Sequence, residues 1–291
     1  MAVPGAPTTG TQGELIPGRF LGGTAAGSAQ GERVDDDGLD DEHAAAAELA
    51  GAAGAVLMGL RGTTEPGPGR GDQGDRLANA LLMERIADRF PADRIRSEES
   101  DRELSRGGQS GRVWIVDPLD GTREFSEGRE DWAVHVALAV DGKAKVGAVA
   151  LPALGLVLGT ADPPRPAPPP TPPRMVVSRS RPPEFVPALA EALGASTVPM
   201  GSAGAKIAAV LRGEAEVYVH AGGQYEWDSA APVAVALAGG FHASRLDGSP
   251  LRYAQADPWL PDLVVCHPGL VHAVMAALAA AGLQEGAPHA G

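Results

Sequence analysis

The stretch Val113–Phe125, reading Val-Trp-Ile-Val-Asp-Pro-Leu-Asp-Gly-Thr-Arg-Glu-Phe, constrains the fold more than any other part of the chain. Val113 to Val116 predict a short buried strand that ends on Asp117. Pro118 fixes its own backbone and drives Asp117 towards an extended shape. Asp120 follows, and Gly121 permits the tight turn that lets both carboxylates face one point, with the Thr122 hydroxyl beside them. Asp, Pro, Gly and Thr also make an ordinary capped turn. A hard divalent cation with oxygen ligands is the stronger reading, because it offsets the cost of bringing like charges together at the mouth of a dry strand.

Two further stretches favour that reading. Ser97-Glu98-Glu99-Ser100 lies upstream, and Glu226-Trp227-Asp228-Ser229-Ala230-Ala231-Pro232 lies downstream. Taken in this order, the three motifs resemble the inositol monophosphatase superfamily of metal-dependent, lithium-sensitive phosphatases, from about Asp40 onward. Arg123-Glu124-Phe125 and the run Ala243–Leu251 resemble its CysQ-type branch, the 3′(2′),5′-bisphosphate nucleotidases. The resemblance implies an α/β (α+β) chain folded as a layered α-β-α-β-α sandwich of the sugar-phosphatase type, with the active site between two halves. It implies two or three Mg2+ ions held by Glu98, Asp117, Asp120 and Asp228 and by the Leu119 carbonyl. It also implies an attacking water oriented or deprotonated by Thr122, backed by Asp75 and Glu98.

The substrate-facing set expected on the same ground is Asp120, Gly121, Thr122, Arg123, Ser202, Lys206, His220 and Asp228. Gly201–Lys206 opens a helix, and a helix start with small residues favours anions. Lys206, one of three lysines in the chain, resembles the lysine that contacts the nucleotide and is expected to hold a second phosphate, on C5′. His220 stands where related nucleotidases carry an arginine, and its charge is weaker and pH-dependent. Ala221 stands where inositol monophosphatases carry a glutamate for the inositol hydroxyls.

In chain order, residues 1–37 are rich in Gly, Ala, Thr and Pro and predict a disordered tail. Residues 38–161 predict an α+β metal-binding subdomain. Its first helix begins near Asp40 and carries Leu49, Val56, Leu57 and Leu60 on its core stripe. A Gly- and Pro-rich loop is expected from Arg61 to Gly74. A second helix then starts at Asp75, as its N-cap or as a partner of Thr122, with Leu77, Leu81, Leu82, Ile86 and Phe90 inward. Ala133–Val140, Lys143–Leu151 and Gly155–Thr160 predict an antiparallel sheet with a hairpin at Asp141-Gly142. Residues 162–174 are a Pro-rich linker or loop. Residues 175–286 alternate strands and helices and predict an α/β substrate-binding subdomain.

Charge narrows the partners. Lys+Arg 24 against Asp+Glu 37 gives −13, which disfavours a nucleic-acid polymer or an anionic membrane surface. No disulfide can form within the chain, because Cys266 is its one cysteine. No stretch reads as a membrane span and the N-terminus lacks a secretory pattern, so a cytoplasmic enzyme is expected. A homodimer is compatible with the sequence. The expected reaction converts 3′-phosphoadenosine 5′-phosphate to AMP and phosphate in sulfate assimilation. The alternatives are an inositol-1-phosphate or fructose-1,6-bisphosphate phosphatase and, further off, a non-catalytic binder of metal and nucleotide.

Overall fold

The structure, a computed structural model, describes residues 38–99 and 111–283; the expected tail over 1–37 lies outside the described residues. Helix α1 (Asp40–Thr63) opens on Asp40, Asp41 and Glu42, three acids at the positive end of its dipole. Its buried face is mostly alanine between Leu49, Leu57 and Leu60, so the helix can lie close to the sheet beneath it. It is also long and apolar enough to cross a membrane, which the sequence reading did not anticipate; 44% of its apolar window is buried inside the protein.

Helix α2 (Pro68–Arg89) corrects the second expectation, since it starts at Pro68 rather than Asp75. Proline suits the first helical turn, where no N–H is needed. Gly71 and Gly74 read as loop residues in the sequence but are close-approach positions in a helix. A Cβ at Gly71 would lie 2.4 Å from Ser126 Oγ, and one at Gly74 would lie 3.0 Å from Leu57. Asp75 is therefore a buried residue inside the helix and not its cap, while Leu77 is exposed.

Strands β1 (Arg94–Ser97) and β2 (Arg112–Asp120) follow, then the short helix α3 (Thr122–Glu127) and strands β3 (Ala133–Val140), β4 (Lys143–Leu151) and β5 (Leu156–Gly159). They form one sheet in the order β1-β2-β3-β4-β5. Only β1 and β2 run parallel within it; the other pairs are antiparallel, as expected. The Pro-rich stretch then lies along the second half: Arg165 Nη1 donates to Ala238 O (3.2 Å) and His267 Nε2 donates to Ala167 O (2.8 Å).

Beyond it come β6 (Arg174–Ser178), α4 (Val186–Leu193), β7 (Ser196–Met200), α5 (Ala203–Leu211) and β8 (Val217–Tyr225). Helix α6 (Glu226–Gly239), β9 (His242–Ser244), β10 (Trp259–Cys266) and α7 (Val271–Ala280) follow within the described residues. The second sheet runs β7-β6-β8-β10-β9.

The two-residue period of the strands sorts the core into layers. Trp114 and Val116 of β2, with Val134, Val136 and Leu138 of β3, pack under α1 and α2. The alternate residues Val113, Ile115, Ala137 and Ala139 face α5 and α6. The same helices meet Val176, Tyr218 and Val265 of the second sheet. Its outer face, with Met175, Val217 and Val264, is covered by α4 and α7. The order is thus helices, sheet, helices, sheet, helices, the expected sandwich.

Alanine on the inner face of the first sheet lets α6 come near, and one glycine sets the distance. A Cβ at Gly147 would lie 2.5 Å from Ala231 O and 2.8 Å from Ala234 Cβ. Gly147→Val should therefore force α6 off the sheet and lower stability by about 3 kcal/mol. Urea unfolding of the two proteins checks this.

Candidate active site

The acidic turn is built by an irregularity in β2. Its pairing with β3 is regular from Arg112 to Asp117 and then shifts between Asp117 and Asp120. A bulge there matches Pro118, which cannot donate to a ladder, and it re-aims the side chains that follow. Asp117 Oδ1 accepts from Leu119 N (3.0 Å), so the carboxylate fixes its own turn. Gly121 has φ 90 and ends the strand where a side chain would be strained.

Around this turn the structure gathers acids from four elements. Carboxylate oxygens of Asp117, Asp120 and Asp228 lie within 4.8 Å of one another. Glu98, in the turn after β1, shares a hydrogen bond with Asp117. Asp75, from α2, accepts from Thr122 Oγ1 (3.2 Å), which also contacts Leu119 O (3.1 Å). The other oxygen, Asp75 Oδ1, is buried without a hydrogen-bond partner. Asp228 belongs to α6 but is not its N-cap: its Oδ2 accepts from Tyr225 N (2.6 Å) across the first turn.

Asp120 joins the two sheets. Its Oδ2 accepts from Ser202 Oγ (2.5 Å) and Gly204 N (2.5 Å), and its Oδ1 from Ala203 N (3.1 Å). It caps the start of α5 from the opposite half, where the helix dipole favours an anion. His135 lies against the same carboxylate, with Nε2 3.4 Å from Asp120 Oδ2 and Nδ1 2.9 Å from Trp227 O. Only glycine fits at 204, since a Cβ there would lie 1.9 Å from His135 Nε2.

Crowding and burial raise the proton affinities of Asp75, Glu98, Asp117 and Asp228. Burial, then the nearby charge of Glu99, pushes Asp75 up to about 7. Burial of its carboxyl group, against the hydrogen bond with Asp117, pushes Glu98 up to about 7. Burial, then the charge of Asp120, pushes Asp228 up to about 7. Asp117 is raised well above the usual carboxylate range by burial and by Glu98. Such a set fits a hard divalent cation. All donors are oxygen, the acids destabilise one another when charged, and one buried oxygen lacks a partner.

A cavity of about 560 Å³ opens beside these acids, of a size suited to a nucleotide. Of the expected substrate-facing residues, Gly121, Arg123, Ser202, Lys206, His220 and Asp228 line it, while Asp120 and Thr122 do not. Their charges are less available than the sequence suggested. Lys206 Nζ donates to Gly201 O (3.0 Å) and Ser202 O (2.6 Å), holding the start of its own helix. Arg123 Nε donates to Glu127 Oε1 (2.9 Å). Burial lowers the pKa of His220, which favours the neutral ring, and its Nε2 donates to Gly223 O (2.8 Å).

Several lining residues escaped the sequence reading. Arg181 is on the cavity wall and makes no ion pair among the described residues. It lies in Ser178-Arg179-Ser180-Arg181, two arginines directly after a strand, which is the signal that could have found it. Tyr225 stacks on Trp227 at 4.7 Å between ring centroids and meets Trp259 edge-on at 5.6 Å. Gly223 is required there, since a Cβ would lie 1.7 Å from the Trp259 ring.

The chain matches the Inositol monophosphatase family over residues 43–163 and 174–281. It is 49% identical over 240 residues to the 3′-phosphoadenosine 5′-phosphate phosphatase of Mycobacterium leprae (strain TN), covering 77% of this chain and 88% of that protein. It is 30% identical over 201 residues to the 3′(2′),5′-bisphosphate nucleotidase CysQ of Escherichia coli (strain K12), covering 64% and 80%. Among solved structures, the inositol monophosphatase of Anabaena sp. PCC 7120 superposes with TM-score 0.67 at 24% identity, over 84% of this chain and 97% of that one. The staphylococcal IMPase-II superposes with TM-score 0.69 at 19% identity, over 84% and 95%. These last two likenesses concern the fold.

The raised proton affinities carry a stability signature. The folded, metal-free protein holds protons on Asp75, Glu98, Asp117 and Asp228 at pH values where the unfolded chain has lost them. Stability is then full below about pH 4 on this account and falls as pH rises towards 7 and above. In chelator, Tm should drop by about 5 °C or more from pH 5 to pH 8, and a divalent cation should flatten that slope. Asp117→Asn should raise the metal-free Tm at pH 8, since it removes one of the repelling charges, and should abolish the stabilisation by cation. Thermal melts of both proteins with and without cation check this.

Proposed function

The chain belongs to the inositol monophosphatase family, and on that premise we propose that it is a magnesium-dependent 3′(2′),5′-bisphosphate nucleotidase. Its substrate is 3′-phosphoadenosine 5′-phosphate and its products are AMP and phosphate. The observation that carries the reading is the cluster of buried Asp117 and Asp120 with half-buried Asp228, the last of which lines a nucleotide-sized cavity. The M. leprae relative, whose name states this substrate, supports it at 49% identity.

In this reading Glu98, Asp117, Asp120, Asp228 and the Leu119 carbonyl hold two or three magnesium ions. When bound, magnesium neutralises charge on the phosphoryl oxygens and lowers the pKa of water. The protein's own part is proton management and aim. Thr122 Oγ1 takes the proton that the attacking water releases and passes its own to Asp75 Oδ2, the contact seen at 3.2 Å. A base poised near pH 7 suits that transfer. As the water oxygen bonds to phosphorus, the bond to the ribose 3′ oxygen breaks, and that oxygen takes a proton from solvent water to become the 3′ hydroxyl of AMP. No covalent phosphoenzyme is needed.

Substrate choice rests on the far wall. Every phosphate monoester has the group that the acids and their ions grip, and only the bisphosphate has a second phosphate. Lys206 was the expected partner, yet two of its three N–H donors already serve Gly201 and Ser202. Arg181 is the cavity cation whose guanidinium has no ion pair among the described residues, and we assign the second phosphate to it. Ala221 offers no carboxylate for inositol hydroxyls, which favours the nucleotide over inositol 1-phosphate.

Phosphate release from 3′-phosphoadenosine 5′-phosphate, inositol 1-phosphate and fructose 1,6-bisphosphate should rank the nucleotide first, require magnesium and be inhibited by lithium. Activity that survives exhaustive chelation would sink the proposal. Arg181→Ala should lower kcat/KM for the nucleotide about tenfold or more and leave inositol 1-phosphate unchanged, the scale of one charged hydrogen bond. Lys206→Ala should lower both, because it loosens the turn that holds Asp120. Steady-state kinetics on the two substrates separates these outcomes.

A further inference from the structure

Arg96 and Glu226 form an ion pair that the proton and substrate arguments do not use. Arg96 Nη1 donates to Glu226 Oε2 at 2.6 Å, and the two side chains are 2% and 1% exposed. The pair closes into a ring: Arg96 Nη2 donates to Gln255 O (2.7 Å), and Gln255 N donates to Glu226 Oε1 (2.8 Å). Arg96 Nε is buried without a partner.

Such a pair is a poor way to gain stability. Burying two charges costs most of what their attraction returns, and replacing a buried pair by apolar side chains of similar size is often neutral or favourable. What it does supply is a fixed distance and orientation between the two elements that carry it. Those elements are β1 of the first sheet, in parallel register with β2 at Arg96 and Ile115, and the first residue of α6.

The position of the pair points to its use. Arg96 stands two residues before Glu98, and Glu226 stands two residues before Asp228. Glu98 and Asp228 approach the same acidic turn from opposite halves of the protein, and the charge of Glu98 raises the proton affinity of Asp228. Nothing in their mutual charge holds them together; it drives them apart. We propose that the Arg96–Glu226 pair is a positioning device that holds Glu98 and Asp228 at the spacing a divalent cation needs, before the cation arrives. The inference rests on the reading of Glu98 and Asp228 as cation ligands.

The test is magnesium binding by titration calorimetry, which needs no turnover. Arg96→Met with Glu226→Met removes both charges and leaves none stranded. This double variant should remain folded, with its magnesium Kd raised about tenfold, the scale seen when groups that orient metal ligands are lost. Its KM for the nucleotide at saturating magnesium should stay unchanged, as a general loss of structure would not allow. A folded double variant with wild-type magnesium affinity overturns the proposal. Should the double variant fail to fold, Glu226→Gln keeps the shape of the pair and decides on the same measurement: a raised Kd supports the proposal and a wild-type Kd overturns it. Asp228→Asn is the control. If it too binds magnesium normally, the ligand reading itself fails; if it loses magnesium while the double variant does not, only the positioning role fails.

Discussion

Tolerating buried negative charge is the constraint on which the seam between the two sheets depends. Asp75, Asp117 and Asp120 are nearly inaccessible to water, and Asp228 joins them from the other side. Without compensation this arrangement would be expelled or neutralised. The chain compensates locally with backbone N–H groups and hydroxyls. Leu119 N serves Asp117, Tyr225 N serves Asp228, and Thr122 serves Asp75. The start of α5 serves Asp120. The hydrogen bonds hold each carboxylate in place and do not cancel the repulsion between them, so the apo protein keeps protons that a cation would displace.

That compensation ties fold and site together. Asp120 is both an acid of the turn and the cap of a helix in the second half, so the turn and α5 share one anchor. Small residues make the approach feasible. Gly204 clears space for His135 beside Asp120, and Gly147 lets α6 bring Asp228 over the first sheet. Packing that looks like core design therefore sets distances among ionisable groups. A core change on the inner face of the first sheet acts on the site through α6.

Much of this was legible in the sequence, for reasons that can be named. The apolar run into Asp117, the proline and the glycine define the turn by local chemistry, and period-two alternation defines the sheet faces. The start of α2 was missed because Gly69, Gly71 and Gly74 look like loop residues, and only the contacts of Gly71 and Gly74 with α3 show why glycine is needed at those two positions. Strand β1 was missed because Arg94-Ile95-Arg96-Ser97 carries one apolar residue, and its burial comes from pairing beside β2. The role of Lys206 was misjudged because charge is visible in a sequence and hydrogen-bond occupancy is not. Arg96 and Glu226 are 130 positions apart, and no local pattern announces that they meet.

The charge balance bears on how an anionic substrate could bind at all. The chain carries −13, and in the proposed reading the acids of the seam sit where the substrate phosphate binds. The cavity offers three cationic side chains: Lys206 is turned to backbone carbonyls, Arg123 is paired with Glu127, and Arg181 has no ion pair among the described residues. One arginine cannot offset a bisphosphate and a group of buried carboxylates together. In the proposed reading the divalent cations must therefore contribute to affinity as well as to chemistry. The phosphate is drawn to charge that the protein itself has had to attract first. Cation binding and substrate binding are then linked, each raising the other by the same factor. A site built this way is repulsive to its own substrate when empty and complementary to it when loaded.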